Sequence, residues 1–255
     1  MNPDPGSSGD AQTTSVPRHG ILAAAGPIQD IAFLRSWGDR LEQPVFIVAA
    51  NGGRRNLDRL GWIPNLQIGD QDSLTDPAPD FAGPTSGCDS PDSEKWSGNS
   101  TEYIVFPAEK ETTDFELALQ HLLENDAMHQ ISIIGGLGGR FDHALANVFV
   151  ASGYVERGPR IEFVDGTYVM NLVTSSIEIC RGRFQFVSLL PVTRRVSGVT
   201  TRGLKYSLSA QTLRRESSRG VSNEWVADRA VVSVESGCLL VIQTRDDRPG
   251  DSTCD

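Results

Sequence analysis

The chain has 255 residues, enough for a sizeable core, and two domains are expected rather than one. Its 33 acidic against 23 basic residues give a net charge of −10, which argues against a nucleic-acid partner gripped by its phosphates and requires local positive charge wherever an anion binds. No apolar run reaches the roughly 18 residues of a membrane helix, the opening M-N-P-D-P-G-S-S-G-D lacks the basic and apolar regions of a signal peptide, and Cys88, Cys180, Cys238 and Cys254 show neither zinc nor disulfide spacing. A cytoplasmic protein without membrane contact or structural zinc is therefore expected.

Residues 1–17, rich in Gly, Ser, Pro and Asp, read as a disordered leader. A short apolar strand, Ile21 to Ala25, closes at Gly26-Pro27, and rough helical periodicity follows from Ile28 to Leu41. Val45 to Ala49 is a second strand ending in Asn51-Gly52-Gly53, and a helix from Arg54 to Leu60 stops at Gly61. Strands apolar throughout, alternating with helices, predict a Rossmann-like α/β domain over 18–167, with a parallel sheet and ligands at the carboxyl ends of its strands.

The third strand, Leu66 to Ile68, runs into Gly69-Asp70-Gln71-Asp72-Ser73. In extended chain Asp70 and Asp72 point the same way, and two such carboxylates favour a hard cation between them. The competing reading is an ordinary acidic turn. Residues 74–102 are dominated by Pro, Gly, Ser and Asp and read as a long loop insert. Tyr103 to Phe106 resumes as a strand. Thr113 with Glu116 then makes a capping box for a helix whose stripe is Phe115, Ala118, Leu119, Leu122 and Leu123. Capping leaves unexplained the cluster of Glu109, Lys110, Glu111 and Asp114 at that helix start.

The stretch I-S-I-I-G-G-L-G-G-R-F-D-H-A-L-A-N-V-F-V, residues 131–150, joins a buried strand to a helix through Gly135, Gly136, Gly138 and Gly139. Bare backbone amides at a helix start suit an anion, phosphate above all, and Arg140 adds a cation. A glycine-rich connection without a ligand is the alternative. Asp142, His143 and Asn147 crowd the junction beyond what a connection needs. The helix is expected to bury Leu145, Val148, Phe149 and Ser152. After Ile161 to Val164 the pattern changes to short strands, Val169–Thr174, Phe184–Leu190, Arg195–Val199, Ala230–Val234 and Leu239–Gln243, which predict an all-β sandwich domain over 168–245 before a disordered tail, 246–255. The tract from Ser217 to Trp225 reads as a solvated loop; Tyr206 and Trp225 can alternatively wall a pocket for a flat heterocycle.

The series G-D-Q-D-S, E-K-E-T-T-D, G-G-R-F-D-H-x-x-x-N, V-S-G-V-T-T-R-G-L-K-Y and S-S-R-G-V-S-N-E resembles the thiamine pyrophosphokinase family over roughly residues 20–244. The resemblance implies a homodimer with thiamine bound where two subunits meet, and Mg²⁺-dependent transfer of pyrophosphate from the co-substrate ATP to thiamine. It implies metal binding by Asp70, Asp72 and Asp114. The nucleotide side would comprise Asn51, Gly52, Gly53, Glu111, Thr113, Gly138, Gly139 and Arg140; the thiamine side Asp142, Asn147, Tyr206, Ser222 and Asn223. Asp142 is the candidate to orient or deprotonate the thiamine hydroxyl. The chain departs from the family's Asp at Asn51, aromatic at Gln71 and Asp at Glu111. These departures leave open a thiamine-binding sensor or carrier with weakened turnover, and a pyrophosphotransferase with another acceptor.

Overall fold

The computed structural model describes residues 18–70, the backbone of 94–97, and residues 101–107, 109–124 and 127–245. The expected leader and tail, Asp72, Gln71 and most of the insert lie outside the described residues. In chain order the elements are β1 (His19–Ala23), α1 (Ile31–Gly38), β2 (Val45–Ala50), α2 (Arg54–Leu60), β3 (Leu66–Gly69), β4 (Glu94–Ser97), β5 (Glu102–Val105), α3 (Asp114–Leu123), β6 (Gln130–Ile134), α4 (Phe141–Tyr154) and β7 (Arg160–Val164). The second half contributes β8 (Tyr168–Val173), β9 (Ser176–Cys180), β10 (Phe186–Pro191), β11 (Arg195–Arg202), β12 (Gln211–Arg214), β13 (Asn223–Glu224), β14 (Arg229–Ser233) and β15 (Leu239–Thr244). No helix among the described residues is long and apolar enough to cross a membrane.

The fold is mixed α/β. Strands β7, β6, β1, β2, β3 and β5 lie side by side and parallel, with β4 antiparallel at the edge. β4 corrects the expectation that the insert is loop throughout: its backbone pairs with β5 from Glu94 opposite Val105 to Ser97 opposite Glu102. The chain leaves β1 towards β2 on one side and later returns to place β6 on the other. That reversal opens a crevice at the carboxyl ends of β1 and β6, where α/β proteins bind ligands. Beyond β7 the same sheet continues without a break through antiparallel β8, β15, β10 and β13, eleven strands in all. A separate four-stranded antiparallel sheet, β12-β11-β14-β9, packs its apolar face on the extension, with Val196, Val199 and Val232 against Val187, Leu189 and Val241.

One face of the parallel sheet is covered by α3 and α4, whose Phe115, Leu119 and Leu122 bury against Leu22, Val48 and Ile133. The opposite face is covered by α1 and α2 through Leu34 and Leu57 against Ile21, Ala23 and Ala49. The face of α4 differs from the expected one. Leu145 is 43% and Phe149 51% exposed, while Ala151 is buried and Val148 is packed at the core. The sheet is met by the set Ala144, Asn147, Val148 and Ala151, spaced three and four apart, so the row Phe141, Leu145 and Phe149 points outward. Trp225 lies in the core between the sheets, only 9% exposed, so it walls no open pocket.

Candidate active site

The crevice at the rim of the sheet holds a cavity of about 490 Å³. Three loop ends build it. The chain after β1 is tied to the chain after β6 by Ala24 N donating to Ile134 O and Gly26 N to Gly135 O, at 2.9 and 3.0 Å. Gly26 and Gly138 pass so closely that a Cβ on Gly26 would lie 2.6 Å from the Gly138 carbonyl oxygen, which is why this turn excludes side chains. From α2 the buried amide of Asn56 donates to both Ala24 O, at 2.8 Å, and Gly26 O, at 2.7 Å, and holds the first loop from below.

Asp114 opens α3, capped by Thr113, whose hydroxyl accepts from Glu116 N at 3.3 Å. Its carboxylate is 12% exposed. Oδ2 accepts from the Asn51 side-chain amide at 3.0 Å, and the Lys110 ammonium stands 2.9 Å from Oδ1 without hydrogen-bond alignment. Asn51 follows β2 in the left-handed region, φ 48°, a conformation Asn tolerates better than most residues. Asp70, at the end of β3, lines the same cavity.

On the far wall α4 begins without a cap from the Arg140 side chain, and the start of a helix is where an anion is favoured. Arg140, at the cap position, and His143 and Asn147 from the first turns line the space. The Asn147 amide donates to Gly136 O at 2.7 Å and fixes the glycine turn to the helix. Arg140 grips Asp142 through two hydrogen bonds, 3.2 and 2.6 Å, on the protein surface. The guanidinium holds the Asp142 carboxyl at about 2, well below the usual carboxylate range, and the pairing in turn raises Arg140.

Of the residues singled out from sequence, Asn51, Asp70, Thr113, Asp114, Gly138, Gly139, Arg140 and Asn147 line one cavity. Gly52, Gly53, Glu111 and Asp142 do not line it. Gly53 packs instead against the end of β1, where a Cβ would fall 1.9 Å from Ala23 O. Tyr206, Ser222 and Asn223 gather on the second half and also stay off the cavity. Asn223 is buried and clamps Tyr206, accepting from Tyr206 N at 3.0 Å and donating to Tyr206 O at 2.9 Å, while Ser222 N donates to Ser188 Oγ. Tyr206 itself is exposed, with the Lys205 ammonium 5.5 Å from its ring centre. Asn56 and Lys110 were not singled out as site residues. Lys110 stood in the acidic cluster as its lone cation, which was the available signal, whereas Asn56 carries no signal beyond being a polar residue in a helix.

Two family models match the chain: "Thiamin pyrophosphokinase, catalytic domain" over residues 37–163, and "Thiamin pyrophosphokinase, vitamin B1 binding domain" over residues 174–239. Thiamine pyrophosphokinase of Bacillus subtilis is 27% identical over 227 residues, 88% of this chain and 98% of its own. Thiamine pyrophosphokinase 2 of Oryza sativa is 26% identical over 202 residues, 73% of this chain and 68% of its own. The crystal structure of thiamin pyrophosphokinase from Geobacillus thermodenitrificans superposes with a TM-score of 0.69 at 27% identity, covering 90% of this chain and 98% of that one. Thiamin pyrophosphokinase from Candida albicans, at 16% identity and a TM-score of 0.63, shares the fold. With both halves matched in order and the acidic and glycine loops meeting at one cavity, the chain belongs to the thiamin pyrophosphokinase family.

Proposed function

We propose that this chain transfers the pyrophosphoryl group of ATP to the hydroxyethyl arm of thiamine, giving thiamine diphosphate and AMP, and that the cavity at the sheet rim is where transfer occurs. Residues 18–167 act as a Rossmann-like nucleotide unit and residues 168–245 as the vitamin-binding module. The observation that carries the site assignment is the convergence of Asp70, Asp114 and Lys110 with Arg140 and the start of α4 on one open cleft.

The donor set fits a hard divalent cation. Asp114 Oδ1 is buried without a hydrogen bond, Asp70 shares its cavity, and Asp72 follows two residues later. Mg²⁺ held by these carboxylates would neutralise charge on the phosphates during transfer. The remaining work falls to the chain. Arg140, Lys110 and the amides of the glycine turn and α4 bind the triphosphate and stabilise charge that develops as the thiamine oxygen bonds to the β-phosphorus and AMP departs. Thr113, Asn51 and Asn147 hold the loops in register. Asp142, one residue from the cavity-lining His143 and paired with Arg140, is the candidate to orient or deprotonate the thiamine hydroxyl once the phosphates draw Arg140 away.

The site is completed by a second copy of the chain. Tyr206, Ser222 and Asn223 stay off the cavity, and the outward row Phe141, Leu145 and Phe149 beside it offers an apolar face for a homodimer to cover.

AMP release from ATP, Mg²⁺ and thiamine tests this reading. D114N should lose activity by about 100-fold or more while melting near the wild-type temperature. Near-normal turnover in D114N would overturn the site assignment, and thiamine binding without AMP release by the wild type would favour the carrier reading.

A further inference from the structure

On the face of the large sheet that α1 shares with the four-stranded sheet, polar side chains interrupt an apolar surface. Ile21, Ser132, Glu162, Asn171 and Val241 are paired in register across β1, β6, β7, β8 and β15, so they point the same way. Ile21 is covered by the helical layer and Val241 by the second sheet. Between those two layers runs a seam, and it opens as a second cavity of about 490 Å³. Glu162, Asn171, Gln130 and Gln243 form its polar floor; Phe33, Trp37 and Phe184 supply aromatic walls. Gln130 and Arg160 stand at the amino ends of β6 and β7, opposite the strand ends that hold the catalytic cavity, and the two cavities share no lining residue.

Glu162 is held in a defined orientation. Its Oε1 accepts from Ser132 Oγ at 2.6 Å and from Gln130 Nε2 at 2.8 Å. Ser132 has one hydroxyl proton, given to Glu162, so His19 Nε2, 2.8 Å away, must donate to the serine oxygen. Ser132 is fully buried in the middle of this relay and cannot act as a nucleophile. With both donors on Oε1, Oε2 is left for the cavity. Burial raises the carboxyl of Glu162, against the lowering by its hydrogen bonds from Ser132 and Gln130. The neighbouring Asn171 amide has no side-chain hydrogen bond among the described residues and offers both a donor and an acceptor. Three arginines line the cavity. Arg183 is committed to Asp30 at 2.7 Å and lies over the Phe33 ring, and Glu178 is paired with Arg229. Arg160 and Arg40 form no ion pair with any described residue.

We propose that this seam is a second ligand site, which takes an amino-substituted heteroaromatic ring between Trp37 and Phe184, read by Glu162 and Asn171, with an attached phosphate at Arg160 and Arg40. Aromatic walls with a few convergent polar groups are what small-molecule sites require, and the volume falls in their usual range of roughly 300–1,000 Å³. A ring nitrogen beside an exocyclic amine matches the carboxyl and amide pair. Adenine nucleotides and thiamine phosphates both carry that chemistry, so the site senses either the nucleotide pool or the reaction product. It does not depend on the catalytic roles proposed above.

Equilibrium dialysis of the full chain with AMP, and separately with thiamine diphosphate, counts the sites. A second equivalent per chain is expected with one of the probes, and the probe that fills it names the source. R160A and E162Q should each weaken that second equivalent about tenfold or more, leaving the first equivalent and AMP release unchanged. Should E162Q fail to fold, R160A, at the exposed start of β7, carries the test alone. A single equivalent with both probes, or a second equivalent indifferent to R160A, overturns the proposal. Failure of the wild type to release AMP overturns the transferase reading instead and leaves the site count standing.

Discussion

The Asn51 amide donates to Asp114 Oδ2 at 3.0 Å, so a neutral donor, not a second acid, faces the buried carboxylate at the sheet rim. Oδ2 of Asp114 is thus hydrogen-bonded, while Oδ1 has only the Lys110 ammonium 2.9 Å away, without hydrogen-bond alignment. These contacts within the chain hold the site together.

Replacing Asn51 with Asp removes that donor and sets two carboxylates in contact. Without Mg²⁺ the N51D variant should be about 1–3 kcal/mol less stable than wild type. Added Mg²⁺ should raise the melting temperature of N51D more than that of wild type. Equal Mg²⁺ responses would show that Asn51 lies off the metal position.

Asp142 provides a direct readout of Arg140. Its folded pKa, about 2, lies below the ordinary aspartate value of 3.8, so the pair's contribution is present above the unfolded value and is lost as pH falls through about 2. Carboxyl-carbon NMR should find Asp142 titrating near 2 in wild type and near its ordinary value in R140A. Inorganic pyrophosphate added to wild type should move it upward by recruiting Arg140. A midpoint that stays near 2 at saturating pyrophosphate would place the phosphates elsewhere.

Asn56 is a positioning residue. N56A strips the donor from the Ala24 and Gly26 carbonyls, and leaving buried acceptors unpaired should destabilise the fold by about 2–4 kcal/mol in urea denaturation. The loop lines the nucleotide side, so KM for ATP should rise more than kcat falls.

Phe149 tests the proposed subunit contact. If, as proposed, the second copy supplies the thiamine side, F149E should shift sedimentation from dimer to monomer and reduce AMP release. A dimer of unchanged mass would exclude α4 from the interface.

The order of strands and helices was legible because hydrophobic period and punctuation are local. The helix Arg54–Leu60 stops at Gly61, whose φ of 76° needs glycine, and Thr113 caps α3 as its spacing to Glu116 requires. The glycine turn before Arg140 was legible for the same reason, since only bare backbone fits there. Other features depend on neighbours distant in sequence. Periodicity in α4 marks an apolar row but not what covers it, and the sheet meets Val148 and Ala151 while Leu145 and Phe149 face outward. The continuation of the sheet beyond the β7–β8 turn rests on pairing β8 with β15, from Tyr168 opposite Thr244 to Val173 opposite Leu239. Composition and spacing thus determined the mixed α/β class and the acidic and glycine loops, because each is encoded within a few consecutive residues, and the family was legible as a resemblance carried by the motifs in order. Only the tertiary structure decided that Asn56 braces the loop, that Asn51 meets Asp114, and that Ser132 orients Glu162 on a seam between layers, because those relations form when segments far apart in the chain are packed together.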